Sequence, residues 1–328
     1  MVDLNEKRSR RARPRGLRRS DPRGHASLRA ALPALLLAFA LASPALAGER
    51  LRIVATTTDL KSLAEAVGGD KVAVTSLVPP SLDAEEYQPK PQDVMRLKDA
   101  RVVVRVGLDF DLWLDRLLAQ ADPELWRGRS RYVDASQAIA VLDQRGASIG
   151  PSDGHAHASG NPHYWLDPKN AEIITANILE TLARLDPPNA GAYEANRAAF
   201  LARLDAKLPE WQARLATLQG APIVAYHNSW AYLARRFRLN FIGTIEPKPG
   251  VPPSPAQLAG LIKTMRERGA RIVVRQPHEP DRNAAFVAEK AGGAVAVLAG
   301  SVGALPSAVD YLSLFDTDID SLLAASAR

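Results

Sequence analysis

The stretch LRIVATTTDLKSLAEAVGGDKVAVTSLV, residues 51–78, decides how the rest of the chain is read. LRIVATTT (51–58) is an apolar run that ends in threonines and reads as a buried strand. DLKSLAEAVGG follows with helical spacing of its apolar residues, Asp59 near the start and Gly68 closing it. KVAVTSLV (71–78) is the next strand. Strand, helix and strand in alternation imply a parallel sheet covered on both faces.

Outward from that unit the alternation continues. Pro91 takes a first helical position before QDVMRLKDA. RVVVRVG (101–107) is a third strand, DLWLDRLLAQA a helix, and RYVDAS a short fourth strand. Residues 143–162 read as a loop punctuated by glycine and proline, and a helix runs from about Lys169 to Leu185. DPPN (186–189) breaks it. The next segment, about thirty residues long, carries Tyr193, Phe200, Leu204, Leu208, Trp211, Leu215 and Leu218 at helical spacing. At about 1.5 Å per residue it predicts a rod of about 45 Å, kinked at Pro209. Then the alternation restarts with the strands APIVAY, RLNFIGTI, ARIVVRQP and AVAVLA, separated by helical segments. The expected fold is α/β: two lobes, each a parallel sheet flanked by helices, joined by one long rigid helix. The expected boundaries are 48–187, 188–218 and 219–328.

Residues 1–47 stand apart. They carry ten Lys/Arg against three Asp/Glu, so the remainder of this chain of net charge +6 is close to neutral, at −1. The basic total therefore says nothing for nucleic-acid binding, and no nucleic-acid partner is expected. After Arg29 comes AALPALLLAFALA (30–42), too short to span a bilayer, and then Ala45 and Ala47 in an A-x-A pattern. This predicts a signal peptide over 1–47 and an exported, periplasmic, soluble product. The chain has no cysteine, which excludes disulfides and lipid attachment through a cysteine.

Three of the six histidines, His155, His157 and His163, crowd into DGHAHASGNPHYWLDP (153–168). Ligands of open parallel sheets bind beyond the carboxyl ends of the strands. His227 follows IVAY, His278 follows IVVRQP, Glu85 and Glu86 follow VAVTSLV, and His163 precedes the LDP turn. Metal-capable side chains thus fall at strand ends in both halves and converge if the halves face each other. Each also has a plainer reading: a packing histidine, a helix-start neighbour, a solvated acidic pair or a surface loop residue.

Over residues 50–328 the chain resembles the periplasmic metal-binding proteins that feed zinc or manganese ABC importers. The carrying stretches are EEYQPKPQDVMRLKDARVVVRVGLDFDLWL, GNPHYWLDPKNAEIITANIL, YEANRAAFLARLDAKL and VAYHNSWAYLARRFRL. The resemblance implies two α/β lobes on a rigid helix, a divalent metal ion as transported ligand, and the membrane permease of an ABC importer as partner. It assigns metal ligation to His163 and His227. Where the family has a histidine two positions before Tyr-x-Pro-x-Pro, this chain has Glu85. Where the family has an aspartate after its last strand, this chain has Ala299, Gly300 and Ser301. Zinc takes about four N, O or S ligands, so the expected site is His163, His227, Glu85 and, as fourth, His278, with Glu279, Asp281 or water as alternatives.

A mixed imidazole and carboxylate set admits zinc and manganese alike; zinc is the expected cargo, with manganese the alternative, because His155 and His157 precede the site in a Gly-flanked loop. His155 and His157 are expected to capture zinc weakly at the cleft mouth. Affinity is expected to fall below about pH 6.5, the reference histidine value. The sequence lacks H-E-x-x-H, a P-loop and a dinucleotide fingerprint, and its G-x-S-x-G match, GASIG at 146–150, falls inside the loop 143–162 rather than at the strand-to-helix turn of a nucleophile elbow. No enzyme is expected, and a monomer is. The competing readings are a binder of the same fold for another solute or a metal chelate, and a zinc hydrolase.

Overall fold

The computed structural model describes residues 50–143, 157–248 and 250–328. Eight strands and nine helices lie within them: β1 Leu51–Ala55, α1 Thr58–Gly68, β2 Val72–Ser76, α2 Pro91–Lys98, β3 Val102–Arg105, α3 Trp113–Leu118, β4 Tyr132–Asp134, α4 Ala171–Leu185 and α5 Ala190–Arg214, then β5 Pro222–Ala225, α6 Ala231–Phe237, β6 Asn240–Thr244, α7 Pro255–Arg268, β7 Ile272–Arg275, α8 Asp281–Ala291, β8 Ala294–Val297 and α9 Tyr311–Ser326. The predicted signal segment 1–47 and His155 lie outside the described residues.

Local chemistry explains the element ends. Thr57 caps α1, its hydroxyl accepting the Leu60 N–H. Ser254 and Gln257 form a capping box on α7, with Pro255 at its first position. The strands form two four-stranded parallel sheets of identical topology, ordered β2-β1-β3-β4 and β6-β5-β7-β8. In the first, Ile53 pairs with both Val74 and Val102. The inner strands β1, β3, β5 and β7 are largely buried on both faces, which is why they read as apolar runs.

The expected α/β architecture is the observed one, with two differences in detail. Helix α5 has 25 residues and continues through Pro209, about 38 Å of rod; it is shorter than the apolar spacing predicts because Ala216–Leu218 tighten into a 3₁₀ turn. Helix α9 went unpredicted. Its signal was the Asp310–Ser313 capping box ahead of Leu312, Phe315, Ile319 and Leu322, all buried.

The two sheets share one core. A single buried cluster holds Val104 of the first sheet, Ile223 and Val274 of the second, Leu204 and Trp211 of α5, and Phe315 of α9. Polar bonds tie the halves as well: Trp165 Nε1 donates to Gly300 O at 3.0 Å, the Val302 N–H to Asp59 Oδ1 at 2.9 Å, and Arg236 Nε to the buried Asp167 Oδ1 at 2.6 Å.

Candidate metal centre

Glu85, His163 and His227 come together where the carboxyl ends of the two sheets meet. One donor atom from each lies within 4.8 Å of the other two. His163 Nε2 is 3.2 Å from Glu85 Oε1, and His227 Nε2 is 4.0 Å from the same oxygen. Tetrahedral zinc with bonds of about 2.0–2.1 Å separates its ligand atoms by about 3.3–3.4 Å. The three atoms are thus close to ligand spacing already.

Each side chain is held by its neighbourhood. Glu85 sits in the loop after β2, where its N–H donates to Asp83 Oδ1 at 2.8 Å. Trp113 Nε1 holds the preceding carbonyl of Ala84 at 3.0 Å, and the Tyr87 hydroxyl donates to Asp93 Oδ2 at 2.8 Å. His163 opens the turn before α4, which the Tyr164 hydroxyl anchors to Val106 O at 2.8 Å. Phe110 meets the His163 ring edge to face, centroids 5.6 Å apart. His227 follows β5 and Tyr226.

The hydrogen bonds determine which imidazole nitrogen faces the site. The backbone N–H of His163 donates to Asn161 Oδ1 at 3.1 Å, and Asn161 Nδ2 donates to Asn228 O at 2.9 Å. This orientation makes Oδ1 an acceptor, so His163 Nδ1, also 3.1 Å away, carries the proton. His227 Nδ1 lies 2.8 Å from Glu246 Oε2, an acceptor too. Both Nε2 atoms therefore turn towards Glu85, the arrangement in which a histidine binds metal through one nitrogen while the other is oriented by a partner.

The electrostatics match. Burial raises the Glu85 carboxyl, but the facing rings of His157, His163 and His227 hold it well below its usual range. Burial lowers His163 despite Glu85. For His227 burial also lowers, but the Glu246 bond and the charges of Glu85, Glu246 and Glu279 win and push it up to about 9. Burial pushes Glu279 up to about 8, opposed by its bond from Gln276 and the charge of His227.

His278, expected as the fourth ligand, lines the same cavity but is not grouped with the other three. It lies on the turn after β7, and its Nε2 faces Asp83 Oδ2 at 4.0 Å. His157 does approach the site: its Nε2 is 3.3 Å from Glu85 Oε2. Sequence reasoning missed the orienting partners Asn161 and Glu246. Glu246 was reachable by the strand-end rule that selected His227, since it follows β6. The cavity holds about 70 Å³, room for an ion and a few waters, whereas organic ligands occupy about 300–1,000 Å³.

Comparison with known proteins extends the picture. The family model described as zinc-uptake complex component A, periplasmic, matches residues 53–325. The iron-binding protein YfeA of Yersinia pestis is 25% identical over 303 residues, 89% of this chain and 92% of YfeA. The crystal structure of ZnuA superposes with a TM-score of 0.71 at 29% identity, covering 84% of this chain and 99% of that one. The solute-binding protein FpvC of Pseudomonas aeruginosa in complex with Mn²⁺ superposes with a TM-score of 0.70 at 26% identity, covering 84% and 98%.

Proposed function

The chain belongs to the family of the periplasmic zinc-uptake component A, and from that premise we propose that it captures one divalent transition-metal ion, zinc first and manganese as the alternative, and delivers it to the permease of an ABC importer. Glu85, His163 and His227 supply the first three ligands. One observation carries this: three donor atoms of the right chemistry within 4.8 Å, both imidazoles oriented through Nδ1, in a cavity of about 70 Å³. The size of that cavity favours a bare ion over an organic solute or a chelate. The matching family is one of transport components, which favours binding over catalysis.

Capture follows from the geometry. The two Nε2 lone pairs and the Glu85 carboxylate replace water around the ion, and Glu246 supports the imidazole bond of His227. The shared core and the bonds across the halves support release through small shifts of the ligands rather than wide opening. Periplasmic residence rests on the family and on the N-terminal segment; no helix among the described residues is long and apolar enough to cross a membrane.

Elemental analysis of untagged mature protein tests the reading. About one zinc or manganese per wild-type chain is expected, and none on His163→Ala/His227→Ala. Equal metal on both proteins, or none on either after incubation with both ions, overturns it.

A further inference from the structure

Three donor atoms leave zinc one short of the four it takes. The segment after β8, where the family resemblance sets an aspartate, offers no carboxylate: it is Ala299, Gly300 and Ser301, and the Ser301 side chain is already bonded to Asp59. Gly300 has no room for a side chain, since its φ is +65° and a Cβ there would lie 2.2 Å from Gln276 Oε1.

We propose that Glu279 supplies the missing carboxylate from the C-terminal half, an inference that rests on the metal-capture reading above. Glu279 lines the same cavity as Glu85, His163 and His227 and is 7% exposed; like His278 it stands outside the 4.8 Å group of those three, so it must move in to ligate, and what singles it out is its unpartnered oxygen. Its Oε2 accepts the Gln276 N–H at 2.5 Å, which pins the carboxylate on the turn after β7. Its Oε1 is buried and has no hydrogen-bond partner among the described residues. A carboxyl oxygen withdrawn from water and left without a partner is costly, and once ionised such a group is found paired or on a metal. A cation in the cavity is the partner that this oxygen lacks.

The neighbouring donors are otherwise engaged. Glu246 holds His227 Nδ1, Asp83 receives the Glu85 N–H, and His278 faces Asp83 and is 22% exposed. Glu279 offers an oxygen that is already desolvated and uncommitted. With it the site holds two imidazole nitrogens and two carboxylate oxygens, whose two negative charges balance a dication. Carboxylates suit manganese, while imidazole suits zinc and iron. Glu279 therefore widens the range of metals beyond what an imidazole-rich site takes, and its loss weakens manganese more than zinc.

The test is competition titration of zinc and of manganese, each against a fluorescent chelator, on wild type, Glu279→Gln and His278→Ala. For Glu279→Gln a loss of about 10-fold for zinc and about 100-fold for manganese is expected. Equal losses for the two metals, no loss in Glu279→Gln, or a larger loss in His278→Ala overturns the assignment to Glu279 while leaving metal capture intact. Absence of binding by the wild type overturns capture itself, and this ligand with it. A crystal structure of the zinc-loaded wild type decides the point even if Glu279→Gln fails to fold. Glu279 Oε1 at about 2.0–2.2 Å from the metal is expected, and a water in its place overturns the proposal.

Discussion

His163 and His227 present the same atom to the same carboxylate oxygen, one from each half of the molecule, yet their surroundings pull them in opposite directions. On the N-terminal side the Nδ1 partner is a neutral amide, Asn161, and burial leaves His163 below its ordinary value. On the C-terminal side the partner is a carboxylate, Glu246, with Glu85 and Glu279 adding charge, and His227 is pushed up to about 9. The lesson is that one imidazole is ready to bind near neutrality while the other must first give up a proton. The sequence expectation of an onset near pH 6.5 treated both rings as ordinary histidines, and their environments move one below that value and the other above it.

The largest expected effect follows from that asymmetry. Metal competes with the proton on His227 and, below about 8, with the one on Glu279, so apparent affinity should rise about tenfold per pH unit between about 8 and 9, more steeply below about 8, and level off above 9. At still lower pH, below the ordinary histidine value, the slope should steepen again as His163 also begins to protonate. Chelator competition at pH 6.5, 7.5 and 8.5, with about one proton released per ion at pH 8.5 and about two at the lower values in weak buffer, checks it. A profile that is flat above pH 7 breaks the comparison.

A smaller effect sharpens it. Glu246→Gln makes the surroundings of His227 resemble those of His163, removing the charge while keeping an acceptor for Nδ1. Its affinity at pH 9 should fall about 10- to 100-fold below wild type. Towards pH 6 the two profiles should converge, because the variant no longer holds the competing proton so tightly. Parallel profiles would mean that Glu246 only packs.

The smallest effect lies away from the ligands. Asp318, fully buried on α9, accepts the Ala299 N–H at 2.6 Å and is pushed up to about 7 by burial, against that bond. Its folded value exceeds its unfolded one of about 3.9. Its stabilising contribution is therefore complete below about pH 4 and lost as pH rises through about 7. Asp318→Asn keeps the acceptor without the charge. It should raise the melting temperature at pH 8 by about 2–4 °C and change it little at pH 5. Equal shifts at both pH values would show that burial of charge is not the cause.

Much of the fold was legible because the signals that make it are local. Strands buried on both faces leave apolar runs, and helix starts leave Thr57, Pro91 and Ser254. Helix α9 escaped despite its capping box because it follows the last strand, beyond the alternation that organised the reading. The site was legible only in part. Strand-end placement pointed to Glu85, His163 and His227, which the fold gathers. The same rule pointed equally to His278, which the turn after β7 aims at Asp83, and nothing local separates the two cases.

By itself, then, the sequence determined two α/β halves, the helix between them and a short roster of metal-capable side chains at strand ends, because periodicity and capping act over a few residues. Tertiary structure decided which donors meet, which nitrogen each imidazole presents and how the protons are held. Those depend on contacts such as Glu85 with His227 and His227 with Glu246, between residues far apart in the chain, where burial and charge act through space.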